Sequence, residues 1–304
     1  MRITQSMMSD ALMRNLQSNY KRLDSNQEQL TTNRRINRPS DDPVGIADAL
    51  RYRGEISMTE QFSENAKDAD SWLKFSDTVM NEAVNILQKI SEKSVQGSSD
   101  TVPPDARKAI ALEVEELYDQ LVSLGNSQFK GKHIFNGEAT DRAPYPQDPA
   151  NSIPPATTEP YKLDQGSIKI QIGAGIYTTI NVNGNQVFGD PSDSSNMFNV
   201  VDRLKNALLT DNTQVIGAEI ASIQNSMERI VTAQSEVGAR QNRLEFTLSR
   251  LDDLGLNYTD LQSKVEDVDM PKVITELKTA ESIYQASLDT MSRIIRPSLL
   301  DFLR

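Results

Sequence analysis

The sequence predicts a mainly α protein: an elongated coiled-coil rod of long antiparallel helices with a small inserted antiparallel β domain, and terminal helices that are mobile in the isolated chain. Three observations predict it. First, Met227, Ile230, Gln234, Val237, Gln241, Leu244, Leu248 and Leu251 follow one another at alternating steps of three and four, the spacing that keeps one narrow seam on a partner helix. Second, of 304 residues 37% are hydrophobic but only 6% aromatic, with one tryptophan, Trp72, which suits thin helical seams better than a thick globular core. Third, Ile168, Ile170 and Ile172, and then Ile176, Thr178, Ile180 and Val182, alternate with other residues at the period of a strand.

Taken in order, Leu12, Leu16, Asn19, Leu23, Asn26 and Leu30 give the first amphipathic helix, expected to run to about residue 36. Its two seam asparagines suit a helix that fixes register at some cost in stability. Arg34-Arg35-Ile36-Asn37-Arg38-Pro39-Ser40-Asp41-Asp42-Pro43 breaks it, since Pro39 disfavours helix in the residue before it. Asp42 then caps a new helix with Pro43 at its first position. The charges here read either as a clamp between subunits or as a solvated turn with a cap. The second helix runs from Val44 to about Gln96, with Ala69, Leu73, Ser76, Met80, Ala83, Leu87 and Ile90 in its seam. Gly97-Ser98-Ser99-Asp100 closes it, and Pro103-Pro104-Asp105 opens a third helix carrying Ile110, Val114, Leu117, Leu121 and Leu124, with Gly125-Asn126 as its stop. These two helices would pack antiparallel against the Met227–Val268 spine.

Composition shifts at Gly131, and residues 144–160 hold six prolines, an extended linker or rim. The two alternating runs would form a small β domain over 139–195, with Gly173-Ala174-Gly175 between them and Asn183-Gly184 as a hairpin turn before Val187 and Phe188. Met197 to Leu209 restores a short helix, and the rod resumes near Gln214. In the spine, the successive steps of three at Leu248, Leu251 and Leu254 form a stammer, a local overwinding, before Tyr258, Leu261, Val265 and Val268. Asp269-Met270-Pro271 interrupts, and Ile274, Leu277, Glu281, Tyr284, Leu288, Met291 and Ile295 make a last helix ahead of the apolar tail Ser298–Leu303. The two terminal segments read as matched half-seams, unpaired until neighbouring subunits arrive. The expected divisions are 1–43, 44–138, 139–195, 196–268 and 269–304.

Composition excludes several chemistries. A net charge of −11 argues against nucleic acid and anionic membrane as partners, because both repel an acidic surface. No run is apolar enough to span a bilayer, so no membrane insertion is expected. Met1-Arg2-Ile3-Thr4-Gln5 leads into a polar amphipathic pattern with no apolar signal-peptide core, which fits export without a cleaved signal. Cysteine is absent, and the one histidine, His133, cannot alone hold a metal or complete a catalytic triad. The carboxylate pairs Asp41/Asp42, Asp252/Asp253 and Asp267/Asp269 suit caps and solvated faces in a chain with 43 acidic residues. No phosphate-cradling glycine loop occurs. No enzyme, cofactor or metal site is expected.

The two ends carry a resemblance. Ile36-Asn37-Arg38-Pro39-Ser40-Asp41-Asp42-Pro43-Val44-Gly45, followed by Ala47, Ala49 and Leu50, resembles the amino-terminal signature of the flagellin superfamily. Ile134-Phe135-Asn136-Gly137 is similar to that family's step from rod to outer domain, and Val237-Gly238-Ala239-Arg240-Gln241-Asn242-Arg243-Leu244 to its carboxyl rod motif. Asp269, the segment Tyr284-Gln285-Ala286-Ser287-Leu288 and Ser298-Leu299-Leu300 resemble its terminal helix. The resemblance covers about 1–137 and 214–304; the β insert matches nothing comparable.

It implies a structural subunit of the bacterial flagellum. The amino-terminal start, modest length and ending through Phe302 point within the superfamily to the junction between hook and filament. The resemblance further implies unfolded export through the flagellar type III apparatus with a chaperone. Assembly would follow with copies of itself into a ring between the first hook-associated protein and flagellin. A short flagellin is the nearest alternative; a coiled-coil adhesin or signalling protein would need an anchor or receptor module, and none is visible. The residues expected at assembly contacts are Leu12, Leu16, Leu23, Leu30, Arg34, Arg35, Asn37, Asp41, Asp42 and Pro43 on the amino side. On the carboxyl side they are Gly238, Arg240, Asn242, Leu244, Asp269, Tyr284, Leu288, Leu299, Leu300 and Phe302.

Overall fold

A computed structural model describes residues 5–145 and 163–294. Among them lie seven helices and four short strands: α1 (Gln5–Thr32), α2 (Pro43–Ser98), α3 (Pro104–Gly125), β1 (Gln128–Phe129), β2 (Lys132–His133), β3 (Lys169–Gly173), β4 (Ile176–Thr179), α4 (Gly184–Phe188), α5 (Met197–Leu209), α6 (Thr213–Glu266) and α7 (Met270–Ile294). The mainly helical fold with a small antiparallel β insert is the one the sequence predicts. The chain divides into two compact units, a terminal unit of 1–58 with 253–304 and a central unit of 59–252.

The central unit is built around one apolar cluster. The seam of α2 is buried throughout, from Ala69 and Leu73 to Leu87 and Ile90, and Ser76 fits there because its hydroxyl donates to the Trp72 carbonyl at 3.0 Å. Ile110, Val114 and Leu121 of α3 and Ile223, Ile230, Val237 and Leu244 of α6 join the same cluster. Fully burying each such side chain stabilises by about 1.5–3 kcal/mol. The turn between α2 and α3 is held by Arg107, which donates to the carbonyls of Gly97 at 2.9 Å and Ser99 at 2.8 Å and pairs with Asp211. A buried guanidinium is tolerable only with its donors so occupied.

After α3, β1 and β2 form a two-residue hairpin across Lys130 and Gly131, both with left-handed backbone (φ 50° and 77°), the conformation such a turn requires. β3 and β4 pair antiparallel, Lys169 with Thr179 and Ile170 with Thr178, with a bulge between Gln171 and Gly173. The expected hairpin at Asn183-Gly184 does not form: Gly184 begins α4 instead. Its N–H donates to the Phe135 carbonyl at 2.8 Å, and a Cβ there would lie 2.6 Å from the Tyr145 hydroxyl oxygen. Glycine serves close approach at this position, not a left-handed turn, and Val187 and Phe188 are helical. Phe135, Tyr145, Phe188 and Phe198 interlock at 4.6–5.3 Å between ring centroids, and these rings belong to the same cluster as the helices. Most of the proline-rich stretch lies outside the described residues.

In the terminal unit, α1 ends at Thr32 because Asn33 takes a left-handed conformation (φ 56°). α2 starts where predicted: Asp42 Oδ1 accepts from the Gly45 N–H at 2.9 Å, and Pro43 opens the helix. α6 stops at Glu266 rather than running through Val268. Arg34 and Asp267 form an antiparallel bridge, and the Val268 N–H donates to the Asn33 carbonyl, so main-chain pairing replaces the last expected turn.

Candidate functional site

Two structural features gather the amino-side candidates and several of the carboxyl-side ones. The first is the seam between α1 and α7. Leu12, Leu16, Asn19, Leu23, Asn26 and Leu30 all lie on the half-buried stripe of α1, as their spacing predicts. α7 packs on α1, so the terminal half-seams are joined within one chain rather than left open for a neighbour. Asn19 donates to Ser287 Oγ at 2.9 Å, and the Tyr20 and Tyr284 rings stand 6.1 Å apart. The stripe on α7 differs from the expected one. Val273, Leu277, Ala280, Tyr284, Ser287 and Met291 face inward, while Ile274 and Leu288 are 47% and 42% exposed. Placing Ser287 inward instead of Leu288 meets Asn19 with a hydroxyl partner, while Glu281 stays half-buried, as its spacing predicts, and pairs with Lys278. The seam is not closed along its length: Asn19, Arg22, Asn26, Thr275, Thr279 and Ile283 are among the residues lining a groove of about 400 Å³.

The second feature is the charged turn after α1. Glu266, with 1% of its surface exposed, receives Arg34 Nε at 2.9 Å and the Arg53 guanidinium, and its second oxygen accepts from Gln262. Arg35 donates to the Val265 carbonyl at 2.8 Å and its N–H to the Glu266 carbonyl at 2.7 Å. Arg38 reaches back to Glu28 at 2.9 Å. Asp41 accepts from the N–H groups of Asn37 and Arg38, which shapes the loop around Pro39. The Gly45 N–H, aided by Arg35, holds the Asp42 carboxyl below its ordinary value. These charges are satisfied within the chain, by capping and by a buried carboxylate. The charge pattern singled out the cluster; the importance of Glu266 and Arg53 was not legible, because their partners lie more than 200 residues away in sequence.

The remaining candidates separate. Leu244 is fully buried in the central core and Asn242 is exposed. Arg240 donates to the Asn181 carbonyl at 2.9 Å, and Arg243 to that of Tyr177 at 2.8 Å, fastening α6 to the β insert. The sequence offered no signal for these ties. Gly238 has open space around the position of a Cβ, so no packing requirement explains it. Asp269 starts α7, accepting from the Lys272 N–H at 3.2 Å. Leu299, Leu300 and Phe302 lie outside the described residues. His133 is buried, its Nδ1 2.8 Å from the Asn126 carbonyl oxygen and its Nε2 2.9 Å from Gln128 Nε2, a packing position in a hairpin. Among the described residues no group of three or more metal-ligating side chains comes together, and no helix is long and apolar enough to cross a membrane.

Comparison with known proteins places both ends of the chain. Residues 3–140 match the bacterial flagellin N-terminal helical region, and residues 220–303 the bacterial flagellin C-terminal helical region. The flagellin of Bacillus subtilis is 29% identical over 94% of each chain. Flagellar hook-associated protein 3 of Salmonella typhimurium is 26% identical over 100% of each. A solved structure of a putative flagellar hook-associated protein from Vibrio parahaemolyticus shares the fold, with a TM-score of 0.66 at 19% identity over 75% of this chain and 100% of that one.

Proposed function

The chain belongs to the bacterial flagellin family, and from that premise we propose that it is the structural subunit joining hook to filament, the platform on which flagellin assembles. The observation that carries this reading is the α1–α7 pair. Two amphipathic helices from opposite ends of the sequence meet along a partly polar seam, with apolar residues such as Met13, Ile274 and Leu288 left exposed beside it. Such a pair is stable enough to form and has surface left for neighbours. The end-to-end match to a hook-associated protein 3 supports the junction over the filament. The segments 1–43 and 269–304 act as the assembly helices. Neighbouring copies complete a ring, the first hook-associated protein lies on one side and flagellin on the other. Export runs unfolded through the type III apparatus with a chaperone, and the subunit works outside the cell. It catalyses nothing: its chemistry is burial of apolar surface on assembly.

Deleting the gene and imaging the cells tests this. Hooks without filaments, with flagellin lost to the medium, are expected. Normal filaments would overturn the proposal, and intact junctions capped by no filament protein of this size would favour a short flagellin instead.

A further inference from the structure

Phe246 is the most exposed large apolar side chain among the described residues, at 78%. It stands mid-helix in α6 of the central unit, on an outward stripe Ala239, Arg243, Phe246, Arg250 at steps of four, three and four. Tyr177 and Ile176 at the tip of β4 extend the patch: Ile176 lines the same shallow groove as Phe246, and Arg243 reaches the Tyr177 carbonyl. Arg243 and Arg250 form no ion pair among the described residues. An aromatic and aliphatic centre framed by arginines is the composition of a binding hot spot, and it is out of place on a chain of net charge −11 unless something acidic covers it.

The same unit carries the complementary surface. On α3, Leu112 is 63% exposed, and Glu116 and Asp119 follow it on one outward stripe at steps of four and three. Neither carboxylate joins an ion pair among the described residues, whereas their neighbours Glu113 and Glu115 pair with Lys93 and Lys205. Both stripes are open to solvent, so they do not cover each other within one chain. We propose that the Phe246 patch of one copy docks on the Leu112–Asp119 stripe of a second copy, with Arg250 and Arg243 against Glu116 and Asp119. The contact we infer is heterologous, each copy offering its Phe246 patch to one neighbour and its Leu112–Asp119 stripe to another, the geometry that builds rings and helical tubes. This contact rests on the assembly reading above but involves the central unit, not the terminal helices.

The chain has no cysteine, which makes a direct test simple. In the full-length double variant Leu112→Cys with Phe246→Cys, oxidation of isolated flagella is expected to give a ladder of cross-linked copies. Each single variant is expected to remain monomeric on the gel. Cross-linked dimers from Phe246→Cys alone would mean a two-fold contact and overturn the proposal. A chain incorporated into flagella that yields no ladder would also overturn it. Finding the chain along the filament with the ladder intact would instead overturn the junction reading alone. As a second arm, Arg250→Glu should weaken self-association of the purified full chain by roughly tenfold, and adding Glu116→Arg should restore most of it. Equal losses in both variants without rescue would reject the pairing. Circular dichroism before each assay separates either result from misfolding.

Discussion

The central unit closes its core and the terminal unit does not. From Ala66 to Leu244 a continuous set of apolar side chains is buried. In the terminal unit, among the described residues, only Ile36, Ala49, Val273 and Ala280 are buried apolar groups. What holds the terminal unit is directional instead: a carboxylate under two arginines, main-chain pairing of residues 33–35 with 266–268, and an asparagine–serine bond in the seam. One chain thus contains a part that specifies its own fold by burial, and a part that specifies geometry while leaving apolar surface uncovered. An assembly subunit needs both.

The largest effect that could break this contrast is in the core. Phe198→Ala removes a ring packed against Tyr145 and Phe188 and should cost about 3–5 kcal/mol in denaturant unfolding. Leu16→Ala, at a half-buried position of α1, should cost roughly 1 kcal/mol. Equal losses would remove the distinction between the units. Next, Glu266→Ala should cost about 2–3 kcal/mol, because Arg34 and Arg53 lose a buried acceptor. Hydrogen exchange should accelerate around residues 33–36 and 262–268 while the central unit stays protected. Acceleration everywhere would show that the units are not separately stabilised.

A smaller gain is expected from Asn26→Leu, which places apolar surface in the open part of the seam. About 0.5–1 kcal/mol of added stability should appear as slower proteolysis of α1. Faster cleavage would mean that the asparagine is already satisfied in the seam. The smallest effect concerns Asp42, whose carboxyl is held below its ordinary value chiefly by the Gly45 N–H. A lowered pKa in the folded state stabilises above the ordinary carboxylate range, and that stability is lost as pH falls through the folded value. Asp42→Asn keeps an acceptor for the cap but removes this acid dependence. Melting curves between about pH 2 and 5 should therefore flatten in the variant.

Helix identity was legible because the long seams repeat a period that nothing else explains: Leu73 to Ile90 and Met227 to Leu251 read as helices and are helices. So was the α2 cap, since Asp42 and Pro43 act on their own neighbours. What failed depended on distance in sequence. Asn183-Gly184 looked like a turn because its local pattern is a turn, but Tyr145 and Phe135 decide what fits there. The α7 stripe was misplaced by one residue at Ile274 and Leu288, where Val273 and Ser287 turn inward, and the partner of Ser287, Asn19, lies far away in sequence. The Lys130-Gly131 hairpin had a readable signal in its two-residue glycine turn, in a stretch otherwise notable only for its change in composition. Glu266 looked like any of the 43 acids until its partners were in view.

The terminal unit has a further consequence in time. Its closing contacts join residues 230 and 268 positions apart, Arg35 to Val265 and Asn19 to Ser287. Contacts of such separation form late, after the loop entropy of everything between has been overcome. A chain that emerges from one end can complete the central unit before its last segment arrives, but never the terminal one. The pairing of α1 with α7 is therefore a record that the whole polypeptide has been delivered: a product cut short ahead of α7 keeps its core and lacks its handle.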